Sequence, residues 1–279
     1  MNRRTFFKTT AGVLTAGVAA GTCYGFAEAG GFEVTRPTVS VPNLPASFDG
    51  LRIAFITDLH HGPYTGLPFI TSVVRATQVL NPDLILLGGD YCLREGKYIR
   101  PCLEVLKSLS APLGVYGVLG NHDYTHGLEE TQRELRRAGV EELTNGGVWV
   151  RRGNDRVRLA GVDDLWWGKP DAGVAIGDVK AEDAVVLLSH NPDYCETLRD
   201  PRVGLVLSGH THGGQVRVPG MRNPFIPSRY GEKYSHGLVD APSCRVYVSR
   251  GLGATGMPVR YNCPPELTLV TLSAPSTRS

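Results

Sequence analysis

Five short apolar runs along the chain each end in side chains that can bind a metal ion. The runs are four to seven residues long, which is typical of buried strands. The runs, each with the polar side chains that follow it, are Leu51–Thr57 with Asp58 and His60, Leu84–Leu87 with Asp90, Val115–Leu119 with Asn121 and His122, Val185–Leu188 with His190, and Val203–Leu207 with His210 and His212. A sheet that gathers these strand ends would place all these side chains in one cluster.

A segment with helical periodicity follows each of the first three runs. The predicted helices are Leu67–Leu80, which Asn81-Pro82 ends, Ile99–Leu109, and Leu128–Ala138, which Gly139 ends. This alternation of strand and helix predicts an α/β domain with a largely parallel sheet. Ligands of such sheets collect at the carboxyl ends of the strands. Further strands are expected at Gln215–Val218, Arg245–Ser249 and Leu267–Leu272, and a single catalytic domain is expected over residues 51–273.

Charge and cysteine content exclude several other classes of protein. The chain has 29 basic and 27 acidic residues, and residues 1–29 hold three of the basic residues and one of the acidic. The remainder therefore has 26 of each, which argues against a protein that coats nucleic acid. Six cysteines without a C-x-x-C pair favour neither a disulfide scaffold nor a zinc ribbon.

The N-terminus has the pattern of an export signal. Arg3-Arg4-Thr5-Phe6-Phe7-Lys8 precedes a weakly apolar stretch, residues 9–27, that has no charged residue, and Ala27-Glu28-Ala29 offers a cleavage site. Residues 1–29 are therefore predicted to be a twin-arginine-type signal read by the twin-arginine translocation machinery. The expected location is the periplasm, the cell wall or the outer face of the inner membrane, with membrane contact only if the leader stays uncleaved. Residues 30–50, which are rich in Gly and Pro, are expected to form a linker or an edge strand.

The residue types in the predicted cluster favour a particular kind of metal centre. Imidazole nitrogens together with carboxylate oxygens suit manganese, iron, zinc or cobalt. The cluster offers more ligands than one four-coordinate ion can use. Two ions that share a carboxylate would solve this, and paired ions about 3.5–4 Å apart stabilise both oxygens of an in-line displacement. The predicted cofactors are therefore two divalent ions, Mn, Fe or Zn, with Mn favoured.

The motifs around these residues resemble the calcineurin-like metallophosphoesterase family. The resemblance lies in the order and spacing of Asp58-x-His60, Gly89-Asp90, Gly120-Asn121-His122-Asp123, His190 and Gly209-His210-x-His212. Further stretches, Gly209–Gln215, Arg250–Gly253 and Pro264–Glu266, are similar to the exported bacterial phosphodiesterases of the YaeI and YkuE kind. The resemblance implies a four-layer α/β/β/α sandwich.

The same resemblance implies a role for each residue of the cluster. Asp58, His60 and His212 would bind the first ion, Asp90 would bridge, and Asn121, His190 and His210 would bind the second. His122 would face the substrate and act in catalysis, and Asp123 would orient His122. The implied activity is the hydrolysis of a small-molecule or lipid phosphate ester, a diester above all, by water that the two ions acidify.

Two other functions and one further set of residues remain open. The chain could be a pyrophosphatase acting on a nucleotide-linked lipid such as a UDP-diacylglucosamine, or a member of the family that binds without catalysis. A basic and aromatic loop, Pro219–Ser235, follows the last motif, and Arg222, Arg229, Tyr230 and Lys233 are its predicted substrate-binding residues. Trp166 and Trp167 would either form an aromatic wall beside the site or pack in the core.

Overall fold

The computed structural model describes residues 24–275, which form two β-sheets packed face to face with helices on both outer sides. The strands are β1 Glu33–Thr35, β2 Thr38–Ser40, β3 Arg52–Ile56, β4 Leu84–Leu87, β5 Val115–Gly117, β6 Glu141–Glu142, β7 Gly146–Arg152, β8 Asp155–Gly161, β9 Val185–Leu188, β10 Val203–Ser208, β11 Gly237–Asp240, β12 Arg245–Val248 and β13 Glu266–Ser273. The α-helices are α1 Leu67–Leu80, α2 Ile99–Leu106, α3 Asn121–Arg137 and α4 Ala172–Ile176.

Each sheet has a parallel centre, as the alternation of strands and helices predicts. The first sheet runs β1-β13-β3-β4-β5-β6, with β2 also paired to β13, and its strands β3 to β6 are parallel neighbours. The second sheet runs β11-β12-β10-β9-β8-β7, with β8, β9, β10 and β12 parallel. The carboxyl ends of β3, β4 and β5 therefore lie along one edge of the first sheet, and those of β9 and β10 along one edge of the second.

Three apolar cores explain the four layers. Strand β4 shows the pattern, because Leu84 and Leu86 pack between the two sheets while Ile85 and Leu87 pack beneath α1 and α2. Such a strand is buried on both faces, which its unbroken apolar sequence indicates. A third core packs α4 against the outer face of the second sheet. The four-layer α/β/β/α sandwich is confirmed.

Several predicted elements have different bounds in the structure. Gly127, with a φ of 144°, interrupts α3, so its second segment begins at Leu128 as predicted. A further helical segment from Asn121 precedes it, and α2 ends at Leu106 rather than at Leu109. Residues 215–218 do not form a strand and contribute a single bridge between Val216 and Tyr261. The reason is local, since Gln215 and the two glycines before it have positive φ, which no strand accommodates. Residues 30–50 form the edge strands β1 and β2, and Val39 and Phe48 enter the core between the sheets.

The predicted export signal lies mostly outside the described residues. Residues 1–23 are not described, whereas residues 24–29 are helical. Within residues 24–275, no helix combines the length and the apolar character that crossing a bilayer requires.

Candidate metal centre

All seven predicted metal ligands lie where a strand ends, and the fold brings them together. Asp58 and His60 follow β3, Asp90 follows β4, and Asn121 opens α3 after the three residues that follow β5. His190 follows β9, and His210 and His212 follow β10. All seven are buried. The two sheets therefore supply one shared cluster from five strand ends.

The backbone at these ends is in an uncommon conformation. Asp58, His60, Asp90, His210 and His212 have φ between 47° and 68°, the left-handed region that residues other than glycine rarely adopt. Such positions cost on the order of 1–3 kcal/mol each, and they persist where the surrounding structure imposes them. The sharp turns aim several side chains from one short segment at the same point.

One group of ligand atoms surrounds the space between Asp58, His60 and His212. Asp58 Oδ1 lies 3.4 Å from His212 Nε2 and 3.8 Å from His60 Nε2. The two Nε2 atoms are 3.0 Å apart. These three residues form a cluster that could hold a metal ion. Aromatic nitrogens and a carboxylate at this separation converge their lone pairs, which suits a divalent cation.

A second group surrounds the space between Asp90, Asn121, His190 and His210. Asp90 Oδ2 lies 3.2 Å from His190 Nε2, and Asn121 Oδ1 lies 3.2 Å from His190 Nε2 and 2.9 Å from His210 Nδ1. Asp90 Oδ2 also lies 3.5 Å from His60 Nε2, which belongs to the first group. Asp90 is therefore the residue common to both groups, the place of a bridging ligand.

Hydrogen bonds from outside the cluster orient its members. His190 Nδ1 lies 2.8 Å from the carbonyl oxygen of Gly88, so Nδ1 donates its proton there and Nε2 faces the cluster. The Thr57 hydroxyl and the backbone N–H of His210 both donate to the Asp58 carboxylate. The backbone N–H of His122 donates to Asp90 Oδ1 at 2.8 Å, which leaves Oδ2 directed at the ligands.

Burial and neighbouring charges set the protonation of the cluster. Burial alone would raise the pKa of Asp58, but His212 and His60 hold it below its ordinary value. Burial opposes ionisation of Asp90 too, yet His190 and His60 keep its pKa low. Burial lowers the pKa of His210 to about 3 and that of His212 well below its usual range. Both carboxylates and both imidazoles are therefore in the state in which they bind metal.

The ring of His122 lies beside the metal ligands without joining their hydrogen bonds. Its ring packs edge-on against that of His60, with centroids 4.8 Å apart, and stacks on His126 at 5.2 Å. Burial lowers the pKa of His122 to about 4, so the ring is neutral at pH 7. His126, which sequence analysis missed, donates from Nδ1 to the His122 carbonyl at 2.7 Å. Its position four residues along the helix would have revealed it, had the predicted helix begun at Asn121.

Asp123 has a different contact from the one predicted. Its carboxylate accepts the backbone N–H groups of Asp90, Tyr91 and Gly120, at 2.8, 3.0 and 2.9 Å. No contact with the His122 ring is present among its hydrogen bonds. Asp123 thus fixes the turn after β4 to the start of α3, and it acts on His122 only through the backbone.

The four predicted substrate-binding residues line one cavity of about 520 Å³, and two of them also line a second cavity. Arg229 and Tyr230 line a cavity of about 260 Å³ with Trp166, whose ring packs edge-on against His210 at 4.4 Å. Arg222 and Lys233 line only the larger cavity, and Lys233 pairs with Glu196. The walls of both cavities contain none of the seven ligands. Trp166 thus forms the aromatic wall, and the Asp164 carboxylate accepts its backbone N–H at 2.9 Å.

A buried arginine supports the first group of ligands from behind. Arg260 is fully buried, and it donates to the carbonyls of Arg250, Gly251, Gly253 and Cys263. One of its nitrogens lies 3.3 Å from His212 Nδ1. Nothing in the sequence pattern singled out this residue, because the role depends on a loop that folds back under Asp58.

A site of this kind, in which two sheets place seven ligands around a shared aspartate, is typical of a metal-dependent phosphoesterase. The chain belongs to the calcineurin-like phosphoesterase family. The profile of that family matches residues 51–214, a range that holds all seven ligands. The chain is therefore a metal-dependent hydrolase of phosphoric esters with a site built for two ions.

Three individual relatives show which members of the family the chain resembles. The chain is 34% identical to the uncharacterized metallophosphoesterase YkuE of Bacillus subtilis over 98% of both chains. It is 33% identical to phosphodiesterase YaeI of Escherichia coli, over 98% of this chain and 99% of the relative. It is also 32% identical to a Danio rerio transmembrane protein with a metallophosphoesterase domain, of which it covers 57%.

Proposed function

We propose that this protein hydrolyses phosphodiesters at a two-metal centre. The observation that supports this most directly is the position of Asp90, whose Oδ2 lies within 3.5 Å of ligand atoms of both groups. A relative alike over its whole length is named a phosphodiesterase. Asp58, His60 and His212 would hold one ion, Asn121, His190 and His210 the other, with Asp90 between them.

Two bound divalent ions would supply Lewis acidity toward the phosphoryl oxygens and a water of lowered pKa. The side chains of the protein bind the substrate and stabilise the charge that develops on it. His122, neutral at pH 7, donates a hydrogen bond to a phosphoryl or leaving-group oxygen and stabilises the charge that develops there. Trp166 and Arg229 line the pocket that receives one ester group. The reaction forms a bond from water oxygen to phosphorus and breaks the bond from phosphorus to an alcohol oxygen.

Metal analysis joined to a substrate panel tests this proposal. The purified protein, loaded with metal and desalted, is expected to hold two equivalents and to hydrolyse bis(p-nitrophenyl) phosphate faster than p-nitrophenyl phosphate. Asp90→Asn is expected to lose both activity and metal, whereas Asp240→Asn, at an exposed position on β11, leaves both unchanged. Faster turnover of the monoester, or activity without metal, would overturn the proposal.

The ligand set favours manganese as the metal. Four imidazole nitrogens join the oxygens of Asp58, Asp90 and Asn121, and the cluster contains no cysteine. A mixed nitrogen and oxygen set suits Mn(II) and Fe(II), while zinc sites more often have four ligands. Reloading the metal-free protein separately with Mn, Fe and Zn is expected to restore the highest turnover with Mn.

The N-terminal sequence supports export by the twin-arginine route. The proposal places the protein in the periplasm, in the cell wall or on the outer face of the inner membrane, after contact with the twin-arginine machinery. Replacing Arg3 and Arg4 with lysine together is expected to retain the protein in the cytoplasm of an expressing bacterium. Cell fractionation measures the export, and normal export of this double variant would refute this route.

A further inference from the structure

Three large apolar side chains lie in solvent on one side of the metal centre. Met221, Phe225 and Met257 expose 69%, 72% and 69% of their surface, and we call them the apolar rim. A single exposed apolar residue is ordinary, as Val79 on α1 shows with 85% exposure. Three exposed apolar residues on adjoining loops are unusual, since a monomeric protein rarely presents such a group to water without a partner.

The rim is continuous with the metal centre. Phe225 and Met257 line a groove of about 330 Å³ whose wall includes the metal ligand His212. Asn223, between Met221 and Phe225, donates to the carbonyl of Gly214, which lines the same groove. An apolar molecule lying on the rim would thus border a groove that reaches His212, a residue of the first group of ligands.

Basic side chains surround the rim. Residues 217–233 contain four basic residues and one acidic residue. Arg217 pairs with Glu232 and Lys233 with Glu196, whereas Arg222 and Arg229 are exposed and form no ion pair within residues 24–275. Exposed arginines beside apolar side chains are typical of segments that lie on an anionic lipid surface.

The chain also enters the described structure on this side of the molecule. The Tyr24 ring packs edge-on against Tyr261, and the Glu28 carboxylate accepts the backbone N–H groups of Asn262 and Cys263, both at 3.0 Å. Tyr261 in turn exchanges backbone hydrogen bonds with Gln215 and Arg217, at the start of the loop that carries the rim. Twenty-three residues, the last fifteen without charge, precede this attachment point. The described structure therefore begins beside the loop that carries Met257 of the rim.

We propose that the apolar rim docks on the surface of an anionic lipid bilayer and that the groove admits the phosphodiester headgroup of a membrane lipid. The lipid part of this inference rests on the proposed function, while the docking does not. Hydrolysis would form a bond from water oxygen to phosphorus and break one bond from phosphorus to an ester oxygen. The proton of the water would pass to the departing oxygen, giving an alcohol and a phosphomonoester.

Fluorescence quenching by lipid tests the docking without reference to activity. Phe225→Trp in the full chain is mixed with phosphatidylglycerol and phosphatidylcholine vesicles that carry brominated acyl chains, and the wild-type signal is subtracted. The introduced tryptophan is expected to be quenched, and a tryptophan in a matched Val79→Trp variant is not. The contrast separates insertion of the rim from any attachment by the leader. Absence of quenching at position 225, or a dimer in solution that shields this position, overturns the docking.

Turnover tests the lipid substrate. The ratio of vesicle phosphatidylglycerol hydrolysis to bis(p-nitrophenyl) phosphate hydrolysis is expected to fall about tenfold in a Phe225→Ser, Met257→Ser double variant, and to stay constant in Val79→Ser. Turnover of the soluble diester without any release from vesicles overturns the lipid proposal and leaves the proposed function intact. Failure on both substrates by a metal-loaded protein refutes the proposed function, while the quenching result still decides the docking.

Discussion

At the scale of single residues, a few buried ring nitrogens of the site have no hydrogen-bonding partner within the described residues. His122 is the clearest case, because its Nδ1 is buried and bonded to nothing within residues 24–275. Its backbone N–H, by contrast, holds Asp90. The backbone role survives any substitution other than proline, so the two roles of this residue can be separated by experiment.

The first prediction follows from that separation. His122→Ala is expected to keep two metal equivalents and to lose about 10²–10⁴ in kcat on a phosphodiester, since it removes only the hydrogen-bond donor at the reacting phosphate. Steady-state kinetics and metal analysis measure the two effects. His236→Ala, at an exposed histidine outside the cluster, serves as the control. An unchanged kcat would remove His122 from the reaction.

A second residue-scale prediction concerns the space beside Asp58. A Cβ on Gly209 would lie well inside the contact distance of Asp58 Oδ2 and of Thr57 Oγ1. Gly209→Ala is therefore expected to displace the Asp58 carboxylate. Metal binding should weaken at least about tenfold, because this ligand is no longer held in position. Isothermal titration with Mn(II) measures this. At Gly31 a Cβ meets nothing within 4 Å, so Gly31→Ala should bind as the wild type does.

At the scale of elements, Asp123 joins the end of β4 to the start of α3. Its carboxylate is buried and accepts three backbone N–H groups, so Asp123→Ala would leave these donors unsatisfied. The loss is expected to cost about 2–4 kcal/mol of the free energy of unfolding. Urea denaturation of the metal-free protein measures it. Glu129→Ala, exposed on the same helix, should change stability by less than about 0.5 kcal/mol, and equal effects of the two variants would contradict this role.

Some of these elements could be predicted from the sequence and others could not. Strands β4 and β9 and helix α1 have the predicted bounds, because each is a clear apolar pattern between breakers. The hairpin β7–β8 and helix α4 escaped prediction, since Trp149 interrupts the apolar/polar alternation of β7 and α4 is only five residues long. The seven ligands could be predicted because strand ends collect them. Arg260 could not, because its contact with His212 depends on a loop 48 residues further along the chain. His126 was missed because the predicted helix began only at Leu128.

At the scale of the whole molecule, the metal centre joins the two sheets. The first sheet supplies Asp58, His60 and Asp90, and the second supplies His190, His210 and His212. Bound ions would hold the two edges together, so a ligand that binds only the folded state stabilises the entire sandwich. We expect EDTA to lower the melting temperature, and Mn(II) at 100 times its Kd to add about 2.7 kcal/mol to the free energy of unfolding. Identical calorimetric scans with and without metal would contradict this coupling.

The protonation of His190 predicts how metal binding depends on pH. Burial alone would lower the pKa of His190, but Asp90 and Asp58 raise it to about 10 in the metal-free protein. A metal ligand must be neutral at the binding nitrogen, so binding below pH 10 displaces a proton from His190. His210 and His212, with lowered pKa values, are already neutral and release none. Apparent affinity should therefore rise about tenfold for each pH unit between pH 6 and pH 9. Titration calorimetry in buffers of different ionisation enthalpy counts the released protons, and a count of zero at pH 7 would show that His190 is neutral before the metal arrives.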